Sequence, residues 1–368
     1  MNIGVIRAYI LNEFKDLIRS KMIFMVYLVP LMILILFGYG IKMNVKHARS
    51  VVVDYDKSKI SLELISKMKN SQYFKLLPKM SEKEALKQMK IGKIDMIFII
   101  PPSFEKNILK NQKTGIGVFI DGAYPMRALT MQSYAEGLIF DTAKSLNPNL
   151  KNLITINQRM LFNQSLKDAN AIVPGLIGLI LLVAPAILAA LLIVKEKEEG
   201  TIFNFYSSPV GKIDFLIAKL TSVFFLHSFN IFNLFLVAVY IFKVPFKGNF
   251  LIYFFSSEIY ILISLGIGLL VSIVSSRQIV ALVLTIIITI IPGFLYSGML
   301  MPISSMKGES YIEAHLFPVM YYNHLVYDTF LIGQGFGSFK NIFYFCILIV
   351  YAVVLLILGR LFLKKGLK

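Results

Sequence analysis

The chain has 368 residues, of which 57% are hydrophobic, and its mean hydropathy is +0.70. This composition excludes an ordinary soluble globular domain and predicts several membrane-spanning segments. The net charge of +17 indicates anchoring at the cytoplasmic face of a membrane rather than nucleic-acid binding, because no basic stretch is interleaved with aromatic residues in a soluble region. The single cysteine, Cys346, excludes a disulfide within the chain.

Residues 1–21 place apolar side chains at helical spacing and most basic side chains off that stripe. This pattern predicts an amphipathic helix at the membrane interface, with a frayed cytoplasmic tail as the alternative. The first transmembrane helix is predicted at 22–42, with Pro30 expected to kink it. This apolar run is long and lacks a small-residue cleavage site, so we expect an uncleaved signal-anchor rather than a signal peptide.

Charged residues return in residues 43–171, where strand and helix patterns alternate. Ser81 and Glu84 form a capping box at the start of one helix, and Pro101 and Pro102 stop a strand. The alternation predicts an α/β domain of the βαβ type, inserted between the first two spans. Its predicted strands are 51–56, 73–77, 93–100 and 115–121, and its predicted helices are 58–70, 81–90 and 103–110.

Five further apolar runs are long enough to cross a bilayer. With the first run they predict a polytopic α-helical membrane protein of six transmembrane helices. The five runs lie at about 172–194, 215–242, 250–274, 278–298 and 340–363. Residues 299–339 are too apolar for a free loop and too broken for a span, so they predict short helices that re-enter the outer leaflet and pack on the bundle.

Basic residues at the ends of the predicted spans fall mostly on one side of the membrane. They are Arg7, Lys15, Arg19, Lys21, Lys195, Lys197, Lys212, Arg277, Arg360, Lys364, Lys365 and Lys368. The positive-inside rule therefore predicts that this side is cytoplasmic and carries both termini. The inserted α/β domain is then extracytoplasmic. Lys243 and Lys247 lie in a turn on the opposite side and are the exceptions.

The loop between the second and third spans, residues 195–212, combines an acidic start with small residues and a proline. These residues are Glu196, Glu198, Glu199, Gly200, Thr201 and Pro209. The pattern predicts a short surface helix at 196–209, in which Gly200 permits a sharp backbone turn and Pro209 ends the helix. Its carboxylates can meet basic residues of a soluble partner. The alternative is a solvated charged turn.

Several motifs carry a resemblance to a known family. Residues 196–201, E-K-E-E-G-T, are similar to a signature E-R-E-x-G-T, and Ser208-Pro209 and Lys219 stand where that signature is followed by Thr-Pro and a lysine. Further similar segments are V-V-D-Y-D at 52–56, SGMLMPISSM at 297–306 and LFPVMYYNHLVYDTFLIGQGF at 316–336. Over essentially the whole chain, the sequence resembles the permease subunits of ABC exporters of the ABC-2 type, in the subgroup with a large extracytoplasmic domain between the first two transmembrane helices.

The resemblance implies a permease of the bacterial inner membrane that works as a dimer with a separate nucleotide-binding subunit. It implies that the predicted surface helix couples to that ATPase, and that the transporter exports drugs, lipids or polysaccharides. The sequence departs from the family at Phe203, where a glutamate is usual, and at Phe205, which replaces a leucine. We therefore expect a more apolar coupling surface.

Catalytic and nucleotide-binding motifs do not occur in the sequence. There is no Gly-x-x-x-x-Gly-Lys-Ser/Thr loop, no Gly-x-Ser-x-Gly, no His-Glu-x-x-His and no Cys-x-x-Cys. The four histidines, at 47, 227, 315 and 324, are too dispersed to predict a metal site. We therefore predict that the chain is not an enzyme and binds no cofactor, with ATP and Mg²⁺ on the partner subunit.

Polar residues inside the predicted spans are the remaining candidates for function. His227, Asn230 and Asn233 recur at every third position of the third span, and Glu258 lies in the outer half of the fourth. They predict either a polar substrate path or hydrogen bonds between helices. For the trio the interhelix contacts are favoured. For Glu258 both interpretations stay open, and Asn233 lies at a plausible depth to be its partner.

These observations predict the permease subunit of an ATP-driven ABC exporter that moves a hydrophobic or amphiphilic substrate (a drug, lipid or glycan-like molecule) out of the cytoplasm or inner membrane. The expected partners are an ABC ATPase, a second permease copy or homologue, membrane lipids and, in cells with an outer membrane, a periplasmic adaptor. One alternative is a membrane-anchored interaction or secretion component with no ATPase partner. Another is an intramembrane enzyme, such as an acyltransferase that uses His227.

Overall fold

A computed structural model describes residues 3–20, 22–41, 47–110, 112–123, 125–146, 167–203 and 211–362. The chain divides into two compact units. The larger consists of Met1–Ile41 and Met160–Lys368, and the smaller is Lys42–Arg159.

The larger unit begins with two helices, α1 (Ile3–Arg19) and α2 (Met22–Gly40). In α1, Leu17 is buried and Phe14 packs against the core, whereas Lys15 and Arg19 are exposed. This one-sided burial is that of an amphipathic helix, as predicted for the start of the chain. Helix α2 is apolar over its whole length and contains Pro30.

The smaller unit is a four-stranded sheet with helices on both faces. Its elements are β1 (Ala48–Asp54), α3 (Lys59–Asn70), β2 (Phe74–Leu76), α4 (Glu82–Lys90), β3 (Met96–Ile100), α5 (Phe104–Leu109), β4 (Gly117–Ile120) and α6 (Pro125–Leu146). The strand order is β2-β1-β3-β4, with β1 parallel to β2 and β3, and β4 antiparallel to β3. The predicted βαβ arrangement is therefore present.

Two apolar clusters hold this sheet between its helices. On one face Phe98 packs with Leu64 of α3 and Met131 of α6, and on the other Ile97 packs with Ala85 of α4. Adjacent strand residues point to opposite faces, so a run of apolar residues such as Met96–Ile100 fits a strand covered on both sides. Every strand and helix predicted here by residue range is found, with ends within three residues of the prediction.

The larger unit resumes with long helices. They are α7 (Asp168–Glu198), α8 (Lys212–Leu236), α9 (Phe250–Val274) and α10 (Gln278–Leu295). Helix α8 continues into one wider turn, Val237–Ile241. Shorter helices follow, α11 (Glu309–Leu316) and α12 (Pro318–Tyr327), and the last long helix is α13 (Phe339–Phe362).

Five helices of the described residues are long and apolar enough to cross a membrane. They are Asp168–Glu198, Ile213–Ile241, Phe250–Val274, Gln278–Leu295 and Phe339–Phe362. Each coincides with a predicted span. Val26–Gly40 within α2 is a shorter apolar helix. This is the composition expected of a polytopic membrane protein.

Helix α7 is the centre of the larger unit, because α2, α8, α9, α10 and α12 all pack against it. Its contact with α9 is close at Gly268, where a Cβ atom would lie 2.3 Å from the carbonyl oxygen of Ala186. Helix α12 is almost fully buried, including Val319, Tyr322 and Leu325. Short helices are therefore present between residues 299 and 339, and α12 packs against α7, whereas most side chains of α11 are exposed.

Candidate functional site

The site predicted at the end of the second span begins as a continuation of that span. Helix α7 runs through Glu198, so residues 196–198 form its last turn rather than the start of a separate surface helix. Gly200 follows with a φ of +76°, a left-handed conformation that favours glycine. Ile202 and Phe203 are helical again, whereas Pro209 and the rest of the predicted surface helix lie outside the described residues. We call residues 195–203 the acidic turn.

Glu196 lies in a buried ion-pair network with two other helices. Its carboxylate binds the ammonium of Lys219 on α8, and the same ammonium donates to Glu13 Oε2 on α1 over 2.7 Å. The Lys219 side chain is only 8% exposed. A cation in this position neutralises two carboxylates that would otherwise repel each other in a poorly solvated place. The network therefore ties α1, α7 and α8 together.

Lys197, the next residue, binds the end of a different helix. Its ammonium donates to the carbonyl of Ser272 and, over 3.3 Å and 3.4 Å, to those of Ile273 and Ser275. These carbonyls belong to the last turn and C-cap of α9, where backbone acceptors have no partner within the helix. Lys197 thus joins the acidic turn to the end of α9.

Glu198 binds the start of the following helix. Its Oε2 accepts hydrogen bonds from the backbone N–H of Gln278, over 2.9 Å, and from the Gln278 side-chain amide, over 3.0 Å. Gln278 is the first residue of α10, whose first N–H groups have no acceptor within the helix. Three successive residues of the acidic turn therefore connect α7 to four other helices.

The remaining residues of the acidic turn divide into a packed and an exposed group. Ile202 is buried in a small cluster with Phe215 and Leu269. Thr201 is exposed, and its hydroxyl donates to the carbonyl of Glu196 over 3.4 Å. The side chains of Glu199 and Phe203 are 51% and 49% exposed, and the Glu199 carboxylate lies 3.9 Å from the exposed Lys195.

One of the polar residues predicted in the third span, Asn230, contacts a neighbouring helix. The Asn230 amide donates to the carbonyl of Val26 on α2 over 2.8 Å, and its nitrogen lies 3.2 Å from His227 Nδ1. Both side chains are buried, and Asn233 is half-buried. The structure thus brings His227 and Asn230 together between α8 and α2.

Glu258 has a hydrogen-bond partner that was not predicted. The Ser228 hydroxyl of α8 donates to Glu258 Oε2 over 2.8 Å, so the expected pairing with Asn233 is wrong. Spacing along the helix gave a similar depth for Asn233 but did not define which residue of α8 faces α9. Ser228 lies five residues before Asn233 and therefore on a different side of α8, the side that meets Glu258.

The other partners of the site were also missed from the sequence. Glu13 was not singled out within the basic first helix, although only it and Asp16 are acidic there. Gln278 directly follows Arg277, which had marked only a turn. No group of three or more potential metal ligands occurs among the residues that the structure describes.

Comparison with known proteins identifies the family of the chain. A family model described as "ABC-2 family transporter protein" matches residues 20–361. The chain belongs to the ABC-2 transporter family. Members are membrane transport components without catalytic activity of their own, and the ATPase is a separate subunit. The chain is thus an ABC-2 type permease.

Curated relatives resemble the permease over most of its length. The "Probable multidrug ABC transporter permease YbhS" of Escherichia coli K12 is 28% identical over 335 residues, 89% of each chain. YbhR of the same strain, with the same description, is 24% identical and covers 80% of this chain and 81% of its own. The "Inner membrane transport permease YhhJ" is 22% identical over 77% of both chains. No solved structure matches the sequence significantly.

Proposed function

We propose that this ABC-2 permease is the membrane-spanning subunit of an ATP-driven exporter that moves a hydrophobic or amphiphilic molecule out of the cytoplasm or the inner membrane. In this proposal α2 is also a transmembrane helix, the first in the chain, and it brings the number of spans to six. The smaller unit is extracytoplasmic. Two permeases pair, and each binds an ATPase subunit that carries ATP and Mg²⁺. The relatives described as multidrug permeases support a drug-like or lipid-like substrate.

The observation that carries the proposal is the set of contacts made by the acidic turn. Glu196, Lys197 and Glu198 bind α8, α9 and α10, and through Lys219 the contacts reach α1. A partner that displaces this turn therefore acts on five helices at once, counting α7. Such a link is what a permease needs if a separate ATPase is to move its spans.

The exposed side chains of the turn are the proposed docking surface. Glu199 and Phe203 are each about half-exposed, so a partner can contact a charge and part of a ring, with Lys195 3.9 Å from the Glu199 carboxylate. Glu196 and Glu198, which the sequence assigned to the same docking role, are already bound within the chain. In this proposal they transmit the movement, and Glu199 and Phe203 receive it.

Charge distribution supports a cytoplasmic acidic turn and cytoplasmic termini. Arg19 ends α1, Arg277 precedes α10 and Arg360 is near the end of α13, all on the side of the bundle where α7 ends and α10 begins. Short loops rich in arginine and lysine are retained in the cytoplasm. Asn230 is proposed to hold α2 against α8, with His227 beside it, rather than to line a substrate path, because the Asn230 amide donates to the carbonyl of Val26 on α2.

The experiment is reconstitution of the permease with its ATPase, with hydrolysis and export measured together. In Glu198→Gln we expect the subunits to assemble and hydrolyse ATP while export falls, because a neutral amide oxygen binds the N–H end of α10 more weakly than a carboxylate does. Glu309→Gln removes an exposed carboxylate at the start of α11 and serves as the matched control.

Two results would argue against the proposal. One is full export by the Glu198→Gln complex at an unchanged ratio to hydrolysis. The other is recovery of the intact membrane complex without any ATPase, which would favour a membrane-anchored interaction component instead.

A further inference from the structure

A cavity of about 380 Å³ lies between the segment that follows α10 and the first turns of α13. It is at the end of the bundle opposite the acidic turn. Helix α10 starts at Gln278, which binds Glu198, and ends at Leu295, close to the cavity residue Ser297. The cavity is therefore separate from the proposed coupling site.

Two of the four histidines, dispersed in the sequence, come together in this cavity. His315 of α11 and His324 of α12 both line it, with Tyr311, Tyr344 and Lys340. A concave site with several convergent polar groups is the usual form of a ligand-binding pocket. The protein has no other assigned use for this group of side chains.

The charge of the cavity is positive. Lys340 lines it, and no carboxylate does so among the residues that the structure describes. Within those residues Lys340 forms no salt bridge, and its ammonium lies 5.3 Å from the centre of the Tyr344 ring. A cationic ligand would be repelled by Lys340, whereas an anion would gain an ion pair in a partly enclosed place.

The surrounding polar groups supply hydrogen-bond donors. His315 is not one of these donors: its Nδ1 lies 2.8 Å from the carbonyl of Tyr311 and carries the proton, which leaves Nε2 of the neutral ring as an acceptor. The hydroxyls of Tyr311 and Tyr344 have no hydrogen-bond partner in the described parts of the chain. Burial, assisted by the charge of Lys340, lowers the pKa of His324, which leaves a neutral ring with one N–H donor.

Apolar surface continues directly from the cavity. Phe339 and Phe343 flank Lys340 on α13 and are 81% and 53% exposed. Ile303 and Met320 line the cavity itself. A ligand with a charged head and apolar chains can place the head beside Lys340 and the chains along these side chains.

We propose that this cavity binds the phosphate-bearing headgroup of an amphiphile, with the ammonium of Lys340 against the phosphate and the apolar chains along Phe339 and Phe343. The hydroxyl groups of Tyr311 and Tyr344 donate the hydrogen bonds that complete the recognition. The assignment concerns binding at one end of the permease, and it does not depend on an ATPase or on the direction of transport.

The test is equilibrium binding to the purified full-length permease in detergent micelles. The probes are dihexanoyl phosphatidic acid, dihexanoyl glycerol and inorganic phosphate. We expect phosphatidic acid to bind much more tightly than either of the others, because each of those lacks one half of the ligand. In Lys340→Gln its affinity should fall about tenfold or more, the usual effect of losing a hydrogen bond to a charged group.

Lys307→Gln is the matched control. Lys307 is an exposed lysine in the segment that follows α10, and it lines a neighbouring cavity. This variant should bind phosphatidic acid as the parent does. Equal loss in both lysine variants, or no loss in Lys340→Gln with its unfolding midpoint unchanged, overturns the site. If dihexanoyl glycerol binds as tightly as phosphatidic acid, the site does not recognise a phosphate. If inorganic phosphate binds as tightly, the site does not recognise the apolar chains of an amphiphile. These outcomes are independent of export measurements.

Discussion

The ammonium of Lys219 donates to the carboxylate of Glu13 over 2.7 Å, although the two residues are 206 positions apart in the chain. The same ammonium binds Glu196, so one lysine of α8 holds α1 and the end of α7 together. The sequence resemblance had singled out Lys219 only as a lysine that follows the acidic motif, and the structure places its ammonium between two carboxylates.

Replacing Lys219 should therefore destabilise the permease strongly. Lys219→Met leaves two carboxylates close together without a cation, and breaking a buried ion pair in this way costs about 3–5 kcal/mol. The free energy of unfolding, followed by denaturant titration in detergent, would show the loss. The triple variant Glu13→Gln, Lys219→Met, Glu196→Gln should recover most of it.

The matched control is Lys195→Met, which removes an exposed lysine whose ammonium lies 3.9 Å from Glu199. Exposed pairs of this kind contribute about 0–1 kcal/mol. A comparable loss of stability in Lys195→Met and Lys219→Met would contradict the importance of the network.

The close contact between α7 and α9 makes a second prediction. Gly268→Ala places a Cβ atom 2.3 Å from the carbonyl oxygen of Ala186, and backbone cannot move aside as a side chain can. We expect a loss of about 1–3 kcal/mol, the usual cost of overpacking. Thermal unfolding of the two proteins would measure it.

Gly40→Ala provides the comparison, because nothing lies within 4 Å of the position that its Cβ would take. Gly40 is the last residue of the apolar helix α2, and the Gly40→Ala variant should have a nearly unchanged unfolding midpoint. If Gly268→Ala were equally silent, α7 and α9 would not be as close as described.

His324 should make the permease less stable in acid. Burial, together with the charge of Lys340, lowers the pKa of His324, while Asp328 acts in the opposite direction. In the unfolded chain a histidine titrates near its ordinary value of about 6.5. Below that pH the unfolded state binds a proton that the folded state does not, so stability falls as pH is lowered towards the folded pKa.

His324→Gln should therefore reduce the loss of stability between pH 7 and pH 5, measured as unfolding midpoints in detergent. His47→Gln alters an exposed histidine of the smaller unit and should retain the pH dependence of the parent. An identical pH profile for the parent and His324→Gln would show that this ring does not contribute.

Asp95 should be critical for the smaller unit. Its buried carboxylate accepts hydrogen bonds from the Arg49 guanidinium over 2.8 Å and 3.0 Å, and from Arg127 over 3.2 Å. Burial raises the pKa of Asp95, but the hydrogen bonds of Arg49 and the charges of both arginines outweigh it, and the pKa is below its ordinary value. The stabilisation is thus present above about pH 4 and is lost as pH falls through the folded pKa.

Asp95→Asn should accordingly increase amide hydrogen exchange in β1 and β3 at pH 7, since Arg49 and Arg127 lose the negative charge and one of the two acceptor oxygens that they share. Asp141→Asn removes an exposed carboxylate of α6 that is paired with Lys67 of α3, and it should leave exchange in the sheet unchanged. Protection of β1 and β3 equal to the parent in Asp95→Asn would refute the role of this cluster.

Local patterns were sufficient for most of the architecture. The apolar runs of α7, α9 and α13 are long, so length and hydropathy alone predicted them as spans. The alternation of strands and helices in the smaller unit was also readable, because each element has its own periodicity and turn residues. Ser81, for example, caps α4 as predicted, its hydroxyl accepting from the N–H of Glu84.

The site was less predictable because its contacts join distant parts of the chain. Residues 196–198 were interpreted as the start of a surface helix on account of their charge, but Lys197 and Glu198 bind residues more than 70 positions later. Such partners hold α7 helical past the point where its apolar run ends. The pairing of Glu258 with Ser228 was missed for a similar reason, since sequence gives depth in a span but not the face.

The order of Lys197 and Glu198 in the sequence determines which helix end each of them binds. The carbonyl end of α9 carries a partial negative charge and the N–H end of α10 a partial positive one, and each is met by the residue of opposite sign. Exchanging the two residues would conserve composition and net charge yet place each charge against a helix end of its own sign. The contacts of the acidic turn with α9 and α10 therefore depend on the order of the two charges. A chain with the same two residues in reverse order would lose both contacts.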